Sequence, residues 1–176
     1  MKNAHKRLLE HKVYKEWRAK NPSHQLAHAF LMLHQNYHPH WQFGFYSPDS
    51  DHIATFVISE DGITFNPETE VFKDPTKKVL QLNLSDVQKS FDEAYATAEQ
   101  VCKERCKGQT INSTIAILQN TQDFGTVWNI TLITIAFNTV NVKVDARTGE
   151  IKNITVDSLM SLGTKFKSDD LPQDKQ

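Results

Sequence analysis

The sequence is short of everything that announces a chemistry. It has no G-x-S-x-G turn, no G-x-x-x-x-G-K-[ST] loop and no G-x-G-x-x-G fingerprint, so the backbone devices that expose a nucleophilic serine or cradle a phosphate are missing. No pair of carboxylates stands in contrasting surroundings of the kind that divides a general acid from a general base. An enzyme is therefore not expected. No apolar run reaches the ~18 residues that a membrane-crossing helix needs. Met1 is followed by Lys-Asn-Ala-His-Lys-Arg rather than the apolar core of a signal peptide, so a cytoplasmic location is expected. Charge of one sign is also missing. Twenty Lys and Arg stand against 21 Asp and Glu, a net charge of −1, which gives no overall attraction to nucleic acid. The two cysteines, Cys102 and Cys106, are four apart, an awkward spacing for a disulfide within a helix, and read as free thiols. Three N-x-[ST] triplets, at Asn112, Asn129 and Asn153, read as the wet faces of strands rather than as glycosylation sites.

What is there describes a globular α+β chain. Its 176 residues, 39% hydrophobic and 23% charged, suffice for one ordinary domain or two small ones. The first twenty residues are basic, with Lys2, Lys6, Arg7, Lys12, Lys15, Arg18 and Lys20 against Glu10 and Glu16. Leu9, Val13 and Trp17 recur every four positions and predict a helix over 3–20, ended by Asn21-Pro22. Ser23 is placed to cap a second helix, in which Leu26, Phe30 and Leu33 form a stripe up to about Asn36. Strands are expected over 41–46, 53–59 and 63–65, and a short edge strand over 79–84. Ser85 and Gln88 have the spacing of a capping box, opening a helix whose face is Val87, Phe91, Ala94, Tyr95, Ala98 and Val101, with Gly108 at its close. The remainder reads as β: Ile111–Gln119, Val127–Phe137, Val140–Val144 and Glu150–Val156, with Ala146–Gly149 as a hairpin turn.

The order repeats. Trp41 and Trp128 lie 87 positions apart, as do Gly62 and Gly149. Trp41-x-Phe43-x-Phe45 superposes on Trp128-x-Ile130-x-Leu132, and Ile53-x-Thr55-x-Val57 on Val140-x-Val142-x-Val144, without gaps. Such self-similarity is the mark of one structural unit used twice, and makes the tryptophans equivalent structural anchors. The segment Val142-x-Val144-Asp145-Ala146-x-Thr148-Gly149-Glu150-Ile151, preceded by a helix and a long strand, resembles the PepSY domain, a small cystatin-like fold with a helix on an antiparallel sheet. The resemblance covers roughly Ser85–Ser158, and more weakly Ser23–Phe65, where Ser59-Glu60-Asp61-Gly62 keeps only an acidic residue and the glycine. It implies a non-enzymatic module associated with peptidase inhibition or regulation. Most members of that family act outside the cytoplasm, a departure from the location expected here. The expected partition is a basic N-terminal helix over 1–22, a first cystatin-like unit over 23–84, a second, PepSY-like unit over 85–162, and a disordered tail over 163–176.

Three binding readings follow. The first is a peptide or protein partner taken on the concave sheet surface or on an open strand edge, with strand-edge dimerisation as a variant. The second is a metal, with zinc foremost. His24 and His28 stand at i and i+4 on the expected second helix, and His34, His38 and His40 follow nearby; His24, His28, His38 and His40 are the candidate ligands. Gln25 stands where a catalytic Glu of H-E-x-x-H would be. The third is a small ligand in an apolar pocket between helix and sheet. The aromatic set Phe43, Phe45, Tyr46 and Phe56 lacks interleaved Lys or Arg and reads as core rather than as a base-stacking surface.

Overall fold

In the computed structural model, which describes residues 1–34, 38–70 and 77–158, three helices lie against one face of a continuous antiparallel sheet. The helices are α1 (Lys2–Glu10), α2 (Lys12–Lys20) and α3 (Phe91–Arg105). The strands are β1 (Gln25–His34), β2 (Trp41–Ser47), β3 (His52–Ile58), β4 (Ile63–Glu70), β5 (Ile111–Thr121), β6 (Gly125–Thr134), β7 (Asn138–Asp145) and β8 (Ile151–Ser158). Their order across the sheet is β4-β3-β2-β1-β5-β6-β7-β8. The expected α+β class is what the chain adopts.

The helix expected over 3–20 is interrupted at His11, which takes an extended conformation (φ −77°, ψ 139°) and accepts from the Val13 amide through its own ring nitrogen. The interruption shifts the phase of the helical face. Leu8 and Tyr14 are buried, whereas Leu9 and Val13, two of the three residues expected inside, are exposed. A correction of kind applies to 23–36: the residues described there form β1, not a helix. Leu26, Phe30 and Leu33 fit a helical stripe, but the run Leu26–Leu33, apolar except for His28, equally suits a central strand, and periodicity cannot separate the two. The expected edge strand over 79–84 is irregular chain, tied to β1 by the Leu82 amide donating to the Leu26 carbonyl (2.7 Å). The helix opening expected at Ser85 is a single 3-10 turn, Leu84–Asp86; α3 is capped by Ser90, whose hydroxyl accepts from the Glu93 amide while Glu93 returns to the Ser90 amide. Those bonds pull the Glu93 carboxyl down to about 2.

Pairing register settles which side chains face the helices. Trp41, Phe43 and Phe45 of β2 share a face with Ala29, Leu31 and Leu33 of β1, with Ala116 and Leu118 of β5, and with Trp128, Ile130 and Leu132 of β6. This is the core: Phe43, Phe56, Leu118, Trp128, Ile130, Leu132, Val140, Val142 and Val144 are fully inaccessible. Tyr14 and Trp17 of α2 pack their rings on Phe45 and Phe56, so Phe43, Phe45 and Phe56 of the aromatic set are core as expected, while Tyr46 is buried on the opposite face of the sheet. The helix-free face carries Val57, Phe30 and Met32 on its first half and Ile115, Ile117, Asn129, Thr131, Asn141 and Lys143 on its second. Asn141 donates to Asn129 (2.7 Å) and Thr131 (2.8 Å), satisfying that polar ladder.

Two turns matter later. The Ala146–Gly149 hairpin forms as expected: Asp145 Oδ1 accepts from the Arg147 and Thr148 amides (2.8 and 2.9 Å), and Gly149 takes φ +84°. The strand expected over 127–137 stops at Thr134, whose hydroxyl accepts from the Asn138 amide (3.1 Å) and turns the chain within three residues. Phe137 adopts φ +59° there, a left-handed backbone that costs a side-chain-bearing residue about 1–2 kcal/mol.

Candidate functional site

The described residues enclose a cleft of about 640 Å³ between α1, the start of α3 and the middle of the sheet. Its walls are apolar: Leu31, Leu33, Trp41, Val87, Phe91 and Trp128. Trp128 is the buried floor, 6.2 Å from Trp41 and 5.9 Å from Phe91 between ring centroids, and Trp41 meets Phe91 edge-on at 6.0 Å. Tilted and edge-on ring pairs at these spacings are the attractive arrangements of aromatic quadrupoles. Polar residues, among them Lys2, Gln88, Lys89 and Asp92, complete the lining. A concave, mostly apolar site of this size with a handful of polar groups is the usual form of a binding pocket.

The Ala146–Gly149 hairpin braces one wall of this cleft from behind. The Ala146 carbonyl accepts from both the Gln88 and Lys89 amides (2.9 Å each), and Arg147 pairs with Asp86 (2.9 Å). The Lys89 carbonyl in turn accepts from Trp128 Nε1 (3.0 Å). Lys2 crosses from α1 to donate to the Val87 carbonyl (3.0 Å). Burial works against ionisation of Asp145, but the Thr148 and Arg147 amides and Lys152 outweigh it and hold its carboxyl below the ordinary range. The turn thus fixes residues 86–89, which fix the cleft wall.

The four candidate metal ligands do not converge. His24 precedes β1 and packs edge-on against Trp17 on the helix side (5.0 Å). A bulge between Leu26 and His28 reverses the parity of β1, so that Leu26 pairs with Phe45 while His28 pairs with Gly44 and faces away from the helices. Two histidines read as neighbours on one helical turn are instead on opposite sides of a sheet. His38 and His40 precede β2, whose Gln42 pairs with Phe30, so they stand toward the far end of β1, several residues along the sheet from His28. Among the described residues no group of three or more His, Cys, Asp or Glu is placed to hold a metal ion. Cys102 and Cys106 are free and buried. Burial first, and the neighbouring Cys106 second, push the Cys102 thiol up, away from reactive thiolate.

His28 has a measurable consequence of its own. Burial lowers its pKa from the ordinary 6.5, so the folded protein holds it neutral. As pH falls through about 6.5 the unfolded chain takes up a proton that the folded chain refuses, and stability is lost on acidification. His5, buried beside Phe43 (5.1 Å), shifts in the same direction. Urea midpoints at pH 7.5 and 5.5 are expected to differ less in His28→Gln than in the natural chain; identical differences would rule out His28 as a source.

No family model matches the chain, and no curated protein matches it. Its fold is similar to that of a "putative lipoprotein" from Clostridium difficile 630, with a TM-score of 0.54 over 82% of this chain and 90% of that one. The two are 13% identical. The likeness is one of fold alone. Among the described residues no helix is long and apolar enough to cross a membrane. Sequence reasoning had named Trp41 and Trp128 only as anchors; their joint enclosure of a cleft depends on α1 lying across from α3, for which the sequence carries no signal.

Proposed function

We propose that the chain is a non-catalytic binding protein of two PepSY-like units, and that the aromatic cleft between them takes an aromatic or large aliphatic side chain of a peptide partner. Support for the pairing of units comes from the offset of 87. It carries α3 (91–105) onto 4–18, the span of α1 and α2, so the helix of the first unit is the interrupted N-terminal one rather than 23–36. The same offset carries β6, β7 and β8 onto β2, β3 and β4 to within a few residues. The seam is the β1–β5 ladder.

The observation that carries the binding reading is the wall of Trp41 and Phe91 over the Trp128 floor, beside a space large enough for a side chain. Rigid aromatic surfaces already held in place bind at low entropic cost. Peptidase regulation enters through the family resemblance and would make the peptide a segment of a peptidase. Peptides selected from a random library against the intact chain are expected to be rich in Trp, Phe or Leu. Their affinity is expected to fall at least about tenfold, some 1.4 kcal/mol, in Trp41→Ala. Failure to select any peptide, or selected peptides indifferent to Trp41→Ala, would overturn the proposal.

A further inference from the structure

The β6–β7 turn presents Ile135, Ala136 and Phe137 to solvent, and both large side chains are more than half exposed, at 59% and 58%. Hairpin tips ordinarily carry Gly, Asn or Asp. At the other left-handed positions among the described residues this chain obeys that rule, with Gly108, Gly125, Gly149 and Asp51. Phe137 alone places a bulky side chain there. Strain kept at one exposed aromatic residue motivates a functional reading of it.

The tip is held firmly. The Phe137 amide donates to the Thr134 carbonyl and the Ile135 amide to the Thr110 carbonyl (2.9 Å each), while Gln109 accepts from both Thr134 (2.8 Å) and Asn138 (3.0 Å). These bonds fasten it to the loop that follows α3, beside the basic end of that helix. Lys103, Arg105 and Lys107 are all exposed; Lys103 pairs with Glu99 (2.7 Å), whereas Arg105 and Lys107 form no ion pair among the described residues. Across 103–110 only Glu104 opposes them.

We infer that this end of the molecule docks on an anionic lipid bilayer, with Ile135 and Phe137 entering the headgroup boundary and Arg105 and Lys107 meeting lipid phosphates. An exposed apolar tip beside unpaired basic residues fits a deformable anionic surface. A neutral protein groove would gain from the apolar tip but has no need of the neighbouring cations. The site is distinct from the aromatic cleft and stands without it.

The test is flotation of the intact chain with vesicles of phosphatidylcholine alone and of phosphatidylcholine with phosphatidylserine. Binding is expected on the mixed vesicles, weaker on phosphatidylcholine and weakened by salt. Phe137→Gly relieves the backbone strain, so it is expected to keep or raise the melting temperature while lowering vesicle affinity about tenfold; Arg105→Glu with Lys107→Glu is expected to abolish the preference for anionic lipid. Absence of binding to mixed vesicles would overturn the inference. So would binding unchanged by Phe137→Gly but removed by reversing charges on α1, which would assign it to the basic N-terminal helices.

Discussion

Trp128→Ala is expected to cost about 3–5 kcal/mol of folding stability, the largest single loss in the molecule and a large part of the total that a domain of this size possesses. Trp128 is fully inaccessible and is the largest of the buried side chains. Its removal forfeits the apolar contact with Trp41 and Phe91 and leaves the Lys89 carbonyl without the indole donor. The lost volume also adjoins the existing cleft, so the surrounding rings have little behind them to support collapse. Urea denaturation followed by circular dichroism measures the loss. Trp128→Phe, which keeps most of the apolar volume but not the hydrogen bond, is expected to lose clearly less. Equal losses would mean that the orphaned carbonyl, and not packing, governs the site.

Gly44→Ala is expected to be the second most damaging change, at about 1–3 kcal/mol. A Cβ on Gly44 would stand 2.4 Å from His28 Cε1 and 2.7 Å from Nε2, with Ile53 Cδ1 at 2.8 Å. Ile53 can rotate its terminal methyl. The imidazole is only partly exposed, so it has less room to move aside. The glycine is therefore there for the histidine, and the two sites are expected to be coupled: Gly44→Ala in a His28→Ala background should cost much less than in the natural chain. Residues in direct contact commonly show such non-additivity of about 0.5–3 kcal/mol. Full additivity of the two changes would show that the clash is absorbed elsewhere.

How far the sequence was legible depended on whether the deciding contact was local. The β5–β8 meander and its Asp145–Gly149 turn were readable because alternation and turn chemistry lie within a few residues of one another. The start of α3 was misplaced by several residues because Ser85–Gln88 and Ser90–Glu93 both satisfy the capping pattern, and what selects Ser90 is the remote Ala146 carbonyl that holds the Gln88 and Lys89 amides. The β1 segment reads as a helix because its outward positions include Phe30 and Met32, so the polar–apolar alternation that would mark a strand is missing. That one error generated the metal reading, since His24 and His28 are helical neighbours only if 23–36 is a helix. Neither a bulge that reverses parity nor a cleft formed by α1 and α3 leaves a trace in residue spacing. The expected tail over 163–176, and the stretch around Val71 and Phe72, lie outside the described residues.

The order of strands also bears on how the chain comes to be folded. Six of the seven ladders join strands adjacent along the chain, so each closes over a short loop. The β1–β5 ladder is different: it brings together residues such as Phe30 and Ile117, with three strands and α3 in the intervening chain still to be arranged. Closing that distance costs entropy before any contact repays it. Local meanders can form early and cheaply, and the search that sets the pace is the meeting of two prefabricated four-stranded pieces along a single line. A kinetic bottleneck so placed would leave β1 and β5 as the last unpaired edges in the folding chain, and hence the segments most open to pairing with the wrong molecule.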